Sequence, residues 1–209
     1  IDYNIPEVMC TRKYHNQVVM CLLNGTPGYL LDVNKRFGHI RHGIEQPALD
    51  DFVMECVRYT IDKHDPDVML IHLTDVDTQR HNFGAEGPEI TAALKRHDER
   101  LGNIKKWLEA KHPMDNTTLI VLGDHCQIDA HTIVYLNKLF LDKGYLTVKG
   151  DKITSYKAIA KTCDGSTYVY INPDCVNDEE FLDSLTDTLN EIKNDERLGI
   201  EEIYSNEIA

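Results

Sequence analysis

The sequence predicts an α/β protein built around a mostly parallel sheet, with a smaller antiparallel β region after it. Two apolar runs, residues 68–73 (VMLIHL) and 118–122 (TLIVL), have the continuous hydrophobicity of strands buried on both faces. Between them, residues 89–111 repeat apolar side chains at helical spacing. A strand, a long helix and a second strand in this order form a parallel βαβ unit.

The first third of the chain is predicted to hold one more strand, a loop and a helix. Residues 17–23 (QVVMCLL) are apolar and β-branched and precede Asn24 and Gly25, which favours a strand. Residues 26–46 contain four of the glycines and prolines and are predicted to be a loop. After Pro47, apolar residues recur at helical spacing as far as the Asp65-Pro66 stop.

The last third of the chain has a different sequence pattern, in which short alternating segments predominate. Residues 131–143 are predicted to form a helix that Gly144 ends, and residues 146–148, 153–159 and 166–171 to form antiparallel strands. A final helix is expected over about 178–195, capped by Asn177. We therefore divide the chain into a strand and connecting loop (1–46), a βα core (47–144), the antiparallel strands (145–176), and a C-terminal helix and tail (177–209).

Composition limits the partners and the compartment. The 209 residues carry 22 Lys and Arg against 35 Asp and Glu, a net charge of −13, which argues against binding a nucleic-acid polymer. No apolar run reaches the roughly 18 residues of a membrane span. The six cysteines form no CxxC pair, so we interpret them as reduced thiols and favour a cytoplasmic protein. Because the sequence starts without Met, secretion of the natural precursor stays open.

Carboxylate and imidazole groups follow both apolar runs. Asp77 and His81 come after the first run, and Asp124 and His125 after the second. Parallel strands bind ligands at their carboxyl ends, and mixed oxygen and nitrogen donors suit Zn²⁺, Mn²⁺ or Fe²⁺ better than Ca²⁺. The alternative is that each group is an ordinary turn with a surface histidine. Two such clusters separated by one helix favour a metal site.

The segments LTDVDTQRHNFG and LIVLGDHCQ, joined by the helix AALKRHDERLGNI, resemble the type I phosphodiesterase/nucleotide pyrophosphatase branch of the alkaline phosphatase superfamily. The resemblance implies a three-layer sandwich and two divalent metal ions, Zn²⁺ first and Mn²⁺ as the alternative. It places Asp77 and His81 on one metal, and Asp124 and His125 on the other. Asp75 could take the place of Asp77, although it stands six residues from His81 and off the pattern.

The resemblance also implies a hydrolase acting on a small phosphodiester or nucleotide through a Thr or Ser nucleophile. No residue matches that nucleophile, since Thr26 and Asp32 lie in the expected connecting loop. We therefore expect a fragment of a longer enzyme that has little or no activity by itself. A bare sheet edge would favour self-association. The alternatives are a phosphomutase or sulfatase of the same superfamily, and a non-catalytic α/β binding module.

Two further groups of basic residues give weaker indications of a function. His72, on the first apolar run, is predicted to be a satisfied interior histidine rather than a ligand. Residues 36–43 (RFGHIRHG) form a locally basic stretch in an acidic chain. We expect a solvated loop there, with a contact to a substrate phosphate as the alternative.

Overall fold

A computed structural model describes residues 1–6, 16–130, 132–163 and 165–205 of the chain. The chain divides into two compact units, residues 1–129 and residues 130–209. The first unit is helical, and the second combines helices with two small sheets. Cys10 and His131 lie outside the described residues.

In residues 1–6 and 16–129, the first unit forms five α-helices followed by a short 3₁₀ turn at Met114–Asn116. The helices are α1 (Gln17–Asn24), α2 (Pro27–Phe37), α3 (Ala48–His64), α4 (Asp75–Phe83) and α5 (Pro88–Lys111).

The predicted strand at residues 17–23 is wrong, because this segment forms α1. The Asn16 side chain caps the helix by accepting hydrogen bonds from the backbone N–H groups of Val18 and Val19. The helix ends at Gly25, whose N–H donates to the carbonyl of Cys21. Local capping therefore outweighs the β-branched composition of the segment.

The predicted loop at residues 26–46 is also wrong in its first half, which forms α2. Thr26 stands before Pro27, and proline suits the first helical position because its missing N–H would have no partner there. Thr26 Oγ1 in turn accepts the N–H of Asn4 at 3.1 Å. Thr26 thus anchors the start of the chain against α2.

Helices α3 and α5 match the predictions. Helix α3 starts directly after Pro47 and ends at Asp65, which takes a left-handed conformation with φ of 51°. Helix α5 runs to Lys111, where the His112-Pro113 stop was expected. The two helices share an apolar core around Val57, Ile61 and Ile104.

The two apolar runs predicted as parallel strands do not form strands. Met69, Ile71 and Leu73 pack against the core shared by α3 and α5, whereas Val68 and Leu70 are 80% and 94% exposed. In the second run, residues 119–122 are all exposed. A parallel strand exists only when neighbouring strands satisfy its backbone groups, and neither run pairs with a strand among the described residues.

The described part of the second unit forms two helices, two antiparallel strand pairs and two 3₁₀ turns (Pro173–Cys175 and Glu196–Leu198). The helices are α6 (Leu136–Asp142) and α7 (Glu179–Lys193), and the strands are β1 (Leu146–Lys149), β2 (Lys152–Tyr156), β3 (Ala158–Cys163) and β4 (Ser166–Ile171). Strand β1 pairs with β2, and β3 pairs with β4. The antiparallel prediction is confirmed, although the run 153–159 is divided at Lys157 between two sheets.

Helix α6 is shorter than predicted and is joined to β3 by one side chain. Asn137 donates to the carbonyl of Ala160 and accepts its N–H, both at 2.8 Å, so it imitates a neighbouring strand. Asp178, rather than the expected Asn177, caps α7 by accepting the Phe181 N–H. Phe140, Ala158 and Phe181 form the centre of this unit's core.

The α/β composition is thus confirmed at the level of mixed helices and strands. The described residues form two antiparallel sheets of two strands each, and the mostly parallel sheet is not among them. Over the same residues, no helix is long and apolar enough to cross a bilayer. The five described cysteines carry free thiols.

Asp32 is held by three donors, which are Tyr59 Oη, Arg36 Nε at 2.9 Å and Lys63 Nζ at 3.4 Å. The Tyr59 hydrogen bond is the largest cause that lowers the pKa of Asp32 to about 2, from its usual 3.8. Because folding lowers this pKa, the stability that it contributes is complete above pH 3.8 and is lost as the pH falls towards 2.

Replacing Tyr59 by Phe should therefore raise the pKa of Asp32 towards 3.8, with Arg36 and Lys63 keeping it below that value. A pH titration of the carboxyl carbon by NMR measures the change. Asp178, in the other unit, serves as the internal control and should titrate as in the wild type. An unchanged Asp32 pKa would contradict the assigned cause.

Candidate metal centre

Helix α4 begins directly after the first apolar run and carries the first predicted pair. Asp77 and His81 are separated by four residues, so they lie on the same face of the helix. His81 Nε2 is 3.5 Å from Asp77 Oδ1, and the two side chains are 68% and 42% exposed. An exposed carboxylate and an exposed imidazole therefore face the same point.

The second predicted pair lies in an irregular segment after residues 118–122. His125 Nε2 is 3.5 Å from Asp124 Oδ2, and both side chains are more than half exposed. The pKa of Asp124 is lowered, first by a hydrogen bond from its own backbone and then by the charges of His125 and His72.

Asp75, the alternative to Asp77, is already fully engaged. Its side chain is completely buried, and Arg96 donates to both of its oxygens at 2.6 and 2.9 Å. Arg100 Nη1 adds a bond of 3.0 Å to Oδ2. Burial alone would raise the pKa of Asp75, but the two arginines outweigh it and lower the pKa. A carboxylate with both oxygens bound in the interior is not open to an ion.

One hydrogen bond joins the segments that follow the two pairs. Asp129, four residues after His125, accepts the N–H of Ala85 at 2.7 Å, and Ala85 stands four residues after His81. His72 is exposed, which corrects the prediction that it is an interior histidine.

The donor geometry of each pair fits a transition metal. Two ligands bound to Zn²⁺ at 2.0–2.1 Å and at the tetrahedral angle are about 3.3 Å apart. The observed spacing is 3.5 Å in both pairs. Over the described residues, however, no three His, Cys, Asp or Glu side chains gather at one point. Each pair therefore brings two donor side chains together.

The basic stretch at residues 36–43 is a loop only in part, because Arg36 and Phe37 belong to α2. Arg36 pairs with Asp32, and Arg41 donates to Asn34 and lies over the ring of Phe52. These guanidinium groups stabilise α2 and its contact with α3. The interpretation as a phosphate contact gains no support from the geometry.

Several residues that organise the site were missed by sequence reasoning: Asp50, Arg96, Arg100 and Asp129. Arg96 and Arg100 stand four residues apart on α5, a spacing that is equally typical of a solvated helix face. Their partners come from segments 21 to 50 residues away, so local pattern contains no signal for them.

The Asp129 contact depends on Gly84, whose φ is 93°. A Cβ atom at this position would stand 3.0 Å from Asp129 Oδ1. Gly84→Ala should therefore cost about 1–3 kcal/mol of unfolding free energy, through backbone strain and crowding of the carboxylate.

Gly102→Ala is the matched control, because Gly102 lies inside α5 with no atom near the added Cβ. It should stabilise the chain by up to about 1 kcal/mol. Urea unfolding of both variants measures the difference. Equal effects of the two substitutions would show that the Gly84 turn is not constrained.

Comparison with known proteins gives one extensive match and one partial match. The family described as type I phosphodiesterase / nucleotide pyrophosphatase matches residues 1–208. A venom phosphodiesterase from Macrovipera lebetinus is 31% identical over 77 residues, which are 36% of this chain and 9% of that protein. The match thus spans about a tenth of the relative's length. No solved structure matches significantly.

Proposed function

The chain belongs to the type I phosphodiesterase/nucleotide pyrophosphatase family, and with it to the alkaline phosphatase superfamily, and from this membership we infer that it is part of a metal-dependent phosphoric ester hydrolase. Its substrates are small phosphodiesters or nucleotides. The observation that supports the proposal is the presence of two Asp–His pairs, each with donor atoms 3.5 Å apart. The segments that follow the two pairs are joined by the hydrogen bond from the Ala85 N–H to Asp129.

We assign one metal to Asp77 and His81 and the other to Asp124 and His125. Asp77 is preferred over Asp75 because its carboxylate is accessible and faces His81, whereas Asp75 is buried under two arginines. Oxygen and nitrogen donors with tetrahedral spacing favour Zn²⁺, and Mn²⁺ is the alternative.

When bound, two divalent ions supply Lewis acidity, which polarises a phosphoryl oxygen and stabilises negative charge on the leaving oxygen. The residues of this chain would hold and orient the two ions. Asp77 and Asp124 contribute the negative charge, and His81 and His125 contribute neutral nitrogen donors. The nucleophilic hydroxyl remains unassigned in this chain.

Zinc titration of the 209-residue chain tests the assignment, with the histidine Cε1–H resonances as the readout. We expect the signals of His81 and His125 to shift on binding, since each belongs to a two-donor site. Asp77→Ala should abolish the His81 response alone, and Asp124→Ala the His125 response alone. Because each pair supplies two of the roughly four ligands that zinc takes, binding should be weak.

His112 is the matched control, because it forms an exposed pair with Asp65 at 2.6 Å that belongs to no candidate site. His112→Ala should leave the responses of His81 and His125 unchanged. If all exposed Asp–His pairs bind zinc equally, or none does, the metal assignment fails and a non-catalytic binding module becomes the better interpretation.

Hydrolysis of bis(4-nitrophenyl) phosphate tests the activity itself. We expect slow turnover or none from this chain alone, because each pair presents an incomplete ligand set. Any turnover should be lost with a chelator and restored by Zn²⁺ or Mn²⁺. Rapid turnover would contradict the expected inactivity, and turnover that resists the chelator would contradict metal dependence.

A further inference from the structure

Helix α4 does not cap its own N-terminus. Within the described part of the chain, Thr74 stands at the cap position without a side-chain hydrogen bond to the helix. The carboxylate of Asp50, which belongs to α3, takes this role. Its Oδ1 accepts the Thr74 N–H and its Oδ2 accepts the Asp75 N–H, each at 3.1 Å. Such N–H groups at a helix start need acceptors, and a negative charge there is favourable.

Asp50 is buried, with 1% of its surface exposed, and is surrounded by donors. Gln46 Nε2 donates to Oδ1 at 2.8 Å, and Arg100 Nη1 donates to Oδ2 at 3.3 Å. Gln46 also donates to Thr74 Oγ1 at 2.9 Å. Every partner of this carboxylate is therefore a donor, and both oxygens are needed as acceptors.

Helix α4 is short, and the Asp50 contacts act at its first turn. It has nine residues, all of them described, and Asp75 is the buried one among them. A helix this short is not stable by itself in water and needs support from the rest of the fold. Here α4 packs against α5, and the buried charges of Asp50, Asp75 and Arg100 add to that packing.

We propose that Asp50 is a positioning residue that holds the first turn of α4 and so keeps Asp77 and His81 at the spacing needed to share one metal. The inference rests on the metal site proposed above. Asp77 lies in that first turn, and its 3.5 Å approach to His81 exists only while the residues between them are helical. Asp50 itself contacts neither side chain of the pair.

Asp50→Asn is the direct test, because it keeps the size of the side chain and places an amide N–H₂ against donors. Asp51→Asn is the matched control: Asp51 also pairs with Arg100, at 2.9 Å, but its carboxylate is half exposed and makes no bond to α4. Zinc affinity is measured separately at His81 and His125 from their Cε1–H shifts. Asp50→Asn should weaken binding at His81 by about 10-fold and leave His125 unchanged, while Asp51→Asn should change neither.

Amide hydrogen exchange supplies a readout that does not depend on zinc. In Asp50→Asn the amides of α4 should exchange about 10-fold faster, with α3 and α5 protected as before. Gln46→Ala, a milder change to the same network, should act in the same direction if Asp50→Asn folds poorly.

The outcomes separate the two proposals. If neither histidine of the wild type responds to zinc, the proposed metal sites are wrong, and the exchange rates still decide whether Asp50 holds α4. Equal zinc affinity and equal exchange in Asp50→Asn and Asp51→Asn would overturn the positioning role. Equal losses at His81 and His125 would overturn it as well, because they would indicate general unfolding.

Discussion

The first unit depends on a buried ionic cluster formed by Asp50, Asp75 and Arg100. Placing these charges in the interior costs free energy unless each is paired and hydrogen-bonded, and every one of them is. The cluster joins α3, α4 and α5 through charged side chains, beside the apolar core that α3 and α5 share.

The candidate metal pairs lie outside this cluster, and the contrast has a physical reason. Asp75 and Asp77 are two residues apart on one helix, yet one is buried and the other accessible. The buried carboxylate is paired with arginines and supports the helix, whereas the accessible one faces His81. A scaffold that holds its ligands through neighbouring charged residues is typical of metal sites, where outer groups orient the inner ones.

Residue pattern and tertiary structure agree best where local signals were strongest. Helices α3 and α5 have apolar periodicity with clear stops, and they form where predicted. The antiparallel strands at residues 146–171 follow their alternation and turn glycines. The prediction was wrong at residues 17–37, because a capping asparagine and a first-turn proline are short signals inside an otherwise strand-like or loop-like composition. It was also wrong at residues 68–73 and 118–122, whose apolar runs form no strand among the described residues. Self-association and the absence of the nucleophile from this chain stay predictions.

The sequence by itself determined the family, the α/β composition and the two Asp–His pairs, since these depend on residue type and short spacing. Tertiary structure alone decided that Asp75 is a structural carboxylate, that His72 is exposed and that Asp50, Arg100 and Asp129 organise the site. The roles of these carboxylates and of Arg100 come from contacts between residues 21 to 50 positions apart in the chain. Such contacts leave no periodicity or motif, because only the folded backbone brings the partners together.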